Sequence, residues 1–82
     1  MPKRKTLSGN DLLRIFSTFG FHPVLQHGSH VKLRRILENG ERQILTVPMH
    51  RELDKGTLRA ILRQALRFLS ESDARPHFYS AD

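Results

Sequence analysis

In the segment from His30 to Leu37, His30, Lys32 and Arg34 alternate with Val31 and Leu33. Successive side chains of an extended strand point to opposite faces, so this spacing predicts one apolar face and one face carrying an imidazole and two cations. With the apolar face buried, the other three groups can approach a phosphodiester: the cations meet its oxygens, and the imidazole exchanges a proton near neutral pH. One register away, the same three residues would be buried and unpaired. The plainer alternative is that His30 only opens a strand and packs against the turn before it.

The other histidines are less pointed. His50, in Val47-Pro48-Met49-His50, is either a loop residue ordering the entry to a helix or a substrate contact and second proton carrier. His22, His27 and His77 read as ordinary surface histidines. His27 and His30 could share a metal ion, but the spacing offers no third ligand and the chain has no cysteine, so no metal or other cofactor is expected. Arg59, Arg63 and Arg67 recur every four residues, as a solvated helix face does, with RNA contact as the sharper alternative.

These residues need a frame. Leu12, Ile15, Phe16 and Phe19 recur with helical period between Ser8 and Phe19; Ser8 or Asn10 can cap the start, and Gly20 supplies the exit. From Phe21 to Val47 the period becomes two. Residues 21 to 26 form a short strand whose Pro23, lacking an N–H, belongs at a sheet edge. Gly28-Ser29 breaks the chain before the strand His30 to Leu37. Asn39-Gly40 then predicts a type I′ hairpin leading to the strand Arg42 to Val47. Leu58, Ile61, Leu62, Ala65, Leu66 and Leu69 specify a second core helix, capped by Asp54 or Thr57. The expected fold is α+β, ordered α-β-β-β-α: a three-stranded antiparallel sheet with both helices on one face and the His30 face open.

The 82 residues carry 14 Lys and Arg against 8 Asp and Glu, a formal charge of +6. One modest core is all such a length supports. Without cysteine there are no disulfides, thiol nucleophiles or thiolate zinc sites, which is compatible with a reducing cytosol. No apolar run is long enough to span a membrane, and no signal segment is visible, so a cytoplasmic protein is expected. The charge favours an anionic polymer or an acidic protein as partner. Residues 1 to 7 read as a basic arm, 8 to 69 as the domain, and 70 to 82 as a polar tail, mobile or draped over the surface.

The ordered set of Gly20-Phe21, Gly28-Ser29-His30, a hairpin, Val47-Pro48-Met49-His50 and Gly56-Thr57-Leu58 resembles the HicA toxin family of toxin–antitoxin pairs, over roughly residues 7 to 69. No single piece is specific; the order and spacing carry the likeness. The resemblance implies a fold like the double-stranded-RNA-binding domain, ribonuclease activity on messenger RNA, a HicB-like antitoxin, and a catalytic role for His30. Met49 between Pro48 and His50, and the tail after Ser70, depart from the common pattern.

RNA carries its own nucleophile in the 2′-hydroxyl beside each phosphorus, so an imidazole base suffices to start cleavage without a metal. The developing phosphate charge calls for Lys32, Arg34 and the Gly28-Ser29 backbone, with the Ser29 hydroxyl and His50 as further RNA contacts. Phe16 and Phe19 are core by period, leaving no aromatic platform for bases, so phosphate contacts and salt sensitivity should outweigh sequence preference. Two other classes stay open: a noncatalytic RNA-binding module using the same face, and a protein-interaction module answering only to an acidic partner.

Overall fold

The computed structural model describes residues 3 to 80; Met1 and Pro2 of the basic arm and Ala81 and Asp82 of the tail lie outside the described residues. The chain runs through α1 (Gly9–Ser17), β1 (His22–His27), β2 (His30–Ile36), β3 (Arg42–Pro48) and α2 (Lys55–Ala65), then a short α3 (Glu71–Ala74) and a 3-10 turn (Arg75–His77). The three strands form one antiparallel meander in the order β1-β2-β3. This is the expected α+β arrangement, with the tail adding helical turns.

Local chemistry sets the boundaries. The Ser8 hydroxyl accepts from the Asp11 N–H, and the Asp11 carboxylate accepts from the Ser8 N–H, a reciprocal capping box at the start of α1. Asp54 caps α2 by accepting from the Thr57 N–H at 2.7 Å. Both aspartates are held below the usual carboxylate range, chiefly by these backbone hydrogen bonds.

The β2–β3 connection departs from a two-residue type I′ turn. Gly40 has φ +87° while Asn39 keeps negative φ, the Gly40 N–H donates to the Leu37 carbonyl, and the Leu37 N–H donates to the Glu41 carbonyl. That is a three-residue loop with its left-handed position at Gly40. The Asn39 side chain accepts from the Glu41 N–H instead of occupying the left-handed region itself.

Val31, Leu33, Leu45 and Val47 are buried on one sheet face against Leu12 and Phe16 of α1 and Leu58, Ile61, Leu62 and Ala65 of α2. The tail is draped and also enters the core: Ala74 and Phe78 are buried, and the Phe78 ring lies 6.4 Å from that of Phe16. The basic arm is tied to it, with the Lys5 N–H donating to the Phe78 carbonyl and the Ser80 N–H donating to the Lys3 carbonyl. His77, read from the sequence as a surface histidine, is half-buried with its ring edge-on to Phe19 at 5.5 Å.

Both sheet edges are blunted. Pro23 lies in β1, and the ladder slips a register between Pro23 and Leu25. On the outer edge of β3, the Gln64 side chain accepts from the Thr46 N–H and donates to the Thr46 carbonyl, imitating one rung of a fourth strand.

Candidate active site

The register of β2 with β3 decides which side chains share a face. His30 lies opposite Pro48, Lys32 opposite Thr46 and Arg34 opposite Ile44, while Val31, Leu33 and Arg35 lie opposite Val47, Leu45 and Gln43. The second set faces the helices, so His30, Lys32 and Arg34 stand together on the face that no helix covers. His30 and Lys32 are exposed and Arg34 is half-buried. None of the three side chains is hydrogen-bonded or ion-paired within the described residues.

Gly28 and Ser29 form the tight turn between β1 and β2. Gly28 has φ +59° and Ser29 does not have positive φ, the pattern of a type II′ hairpin turn, whose first central position favours glycine. The Met49 N–H donates to the Ser29 carbonyl at 2.6 Å, which fastens the loop after β3 to this turn. From the other side, the Gly9 N–H donates to the His50 carbonyl at 2.9 Å. His50 is exposed in that loop, next to the residues flanking His30, and its charge also acts on Asp54 at the start of α2. The candidates Gly28, Ser29, His30, Lys32 and Arg34 thus form one continuous surface, and His50 borders it.

Two features were hidden from sequence reading. The first is the bulge at Val24. Without it, His22 and His27 would fall on opposite faces of β1; with it, His22 pairs with Arg34, Leu25 with Lys32 and His27 with His30, so both histidines join the open face. The second is the apolar content of this face: Leu25 (55% exposed), Ile36 (55%) and Ile44 (37%) lie among the cations.

Residues 9–66 match the family model described as the HicA toxin of bacterial toxin–antitoxin. The chain belongs to the HicA toxin family. Membership makes it the toxin of a toxin–antitoxin system and implies an antitoxin partner. Comparisons with curated proteins and with solved structures give no match. The matched span of this HicA chain holds the whole open face and the two long helices; the basic arm, α3 and the 3-10 turn lie outside it. Among the described residues no three His, Asp or Glu side chains gather as metal ligands, and no helix is long and apolar enough to cross a membrane. A groove of about 710 Å³ lies along the tail between Lys5 and Tyr79 and shares no residue with the open face.

Proposed function

We propose that this toxin is a cytoplasmic endoribonuclease that cleaves messenger RNA on the open sheet face, with His30 as general base. The observation that carries the reading is that His30 is exposed on the same face as Lys32 and Arg34, with all three side chains uncommitted inside the protein. A neutral imidazole accepts the 2′-hydroxyl proton, and the 2′-oxygen attacks the adjacent phosphorus. Lys32 and Arg34 bring positive charge to the phosphate oxygens as negative charge develops. The Gly28-Ser29 turn offers backbone N–H groups, and His50 extends the contact surface. Since RNA supplies the nucleophile, this route requires no metal.

The antitoxin, a HicB-like protein in this reading, covers the same face and shields His30. Leu25, Ile36 and Ile44 support this, because branched aliphatic side chains on an open sheet gain from being covered by a protein more than by a polyanion. A complex that left His30 open to solvent would overturn the assignment.

His30→Ala is the deciding experiment. It should lower cleavage by about 10² to 10⁴-fold, while RNA retention in a gel shift stays near wild type and weakens steeply with added salt. Cleavage by the wild type should survive EDTA. RNA bound but left whole by the wild type would point to the noncatalytic binding module instead.

A further inference from the structure

The reaction proposed for this face needs a second proton transfer, and the sheet supplies a group for it. Once the 2′-oxygen attacks, the departing 5′-oxygen must be protonated, and a single base cannot be poised for both tasks at once. The two-residue Gly28-Ser29 turn makes His27 and His30 directly opposed residues of β1 and β2. Directly opposed residues share a face, with Cβ atoms about 4.5–5.5 Å apart. His27 is exposed, and its side chain has no hydrogen-bond partner within the described residues.

We propose that His27 is the general acid of this toxin, paired across the hairpin with His30 as base. The inference rests on the nuclease reading and extends it to a named second catalytic residue. The 2′-oxygen forms its bond to phosphorus as its proton passes to His30. The bond from phosphorus to the 5′-oxygen breaks as the proton carried by His27 passes to that oxygen. The products are a 2′,3′-cyclic phosphate and a 5′-hydroxyl, and the two imidazoles end with their protonation exchanged, to be reset by water.

Cations share this face with the pair. Lys32 and Arg34 on β2 share the face, and His22 on β1 lies opposite Arg34. β3 adds the exposed Arg42 and Ile44 and the half-buried Thr46, Pro48 opposite His30 is buried, and none of the three strands contains a carboxylate. The loop tied to Ser29 through Met49 adds His50, Arg51 and Glu52, with Asp54 at its end.

The experiment uses the full chain and two oligoribonucleotides. One has natural linkages; the other carries a single 5′-bridging phosphorothiolate, whose thiolate leaves without needing a proton. His27→Ala and His27→Gln should cleave the natural linkage about 10² to 10⁴-fold more slowly than wild type, yet cleave the phosphorothiolate within about tenfold of it. His30→Ala should fail on both. The wild-type rate on the natural linkage should pass through a maximum with pH, and the His27 variants should lose its alkaline fall. Wild-type cleavage of the natural linkage by the His27 variants, or equal losses on both substrates, overturns the role of His27 and leaves the nuclease reading standing. Wild-type protein inert on both substrates, or His30→Ala as active as wild type on both, overturns the nuclease reading and this inference with it. Thermal unfolding matching wild type shows that the exposed substitutions leave the fold intact.

Discussion

Arg35 shows how one side chain can serve the whole fold while its strand neighbours face away from the core. It follows Arg34 in the same strand but faces the helices, where its guanidinium donates to the Gln43 side chain and to the carbonyls of Phe19 and Phe68. It also lies 4.6 Å over the Phe21 ring. Phe19 and Phe68 follow the ends of α1 and α2, so one cation satisfies carbonyls left over by both helices. Gln43, buried beneath it, donates from its amide nitrogen to the Glu41 carboxylate. Arg35→Met should keep the stem packing and orphan those acceptors, lowering stability by about 2–4 kcal/mol in a denaturant titration. Arg34→Met, on the open face, should leave stability nearly unchanged. Strand parity placed His30, Lys32 and Arg34 correctly from sequence. The same parity puts Arg35 with Val31 and Leu33, and only the two helix ends above it explain a cation there.

Among the elements, α1 and the loop after β3 depend on each other through Gly9. A side chain at Gly9 would bring its Cβ to 2.5 Å from the Pro48 carbonyl oxygen and 2.7 Å from the Met49 Cα, both backbone atoms. Gly9→Ala should therefore force α1 away from the loop and cost about 1–3 kcal/mol, despite alanine's better helix propensity. Chemical shifts of Ser29 and His50 should move with it. The helix caps give a pH dependence of definite sign. Asp11 and Asp54 are held low by bonds that exist only in the folded chain, so their stabilisation is complete above about pH 4 and lost as pH falls through their folded values. The thermal midpoint should fall on acidification below about pH 4, and Asp54→Asn, which retains a capping oxygen, should flatten that fall. The two long helices were legible because their periods and caps agreed. The bulge at Val24 was not, since Pro23 beside it marks an edge strand as readily as a bulge, and neither was α3, whose four residues are too few to show a period.

At the scale of the molecule, the aromatic residues join distant parts of the chain. Phe16 of α1 meets Phe21 at 6.3 Å and Phe78 at 6.4 Å, and Phe21 in turn meets Phe68 at 6.1 Å. Phe78→Ala should cost about 3–5 kcal/mol, a large share of what a domain of this size possesses. It should also free the tail, measured as faster amide exchange at Lys5 and Ser80. The burial of Phe78 was not legible in the sequence because it sits in a polar stretch without period; it depends on partners more than fifty residues away. That dependence has a temporal consequence. A chain made from its N-terminus exposes the first helix long before the ring that seals it has been added, so this side of the core closes only after the sheet and both long helices have been made.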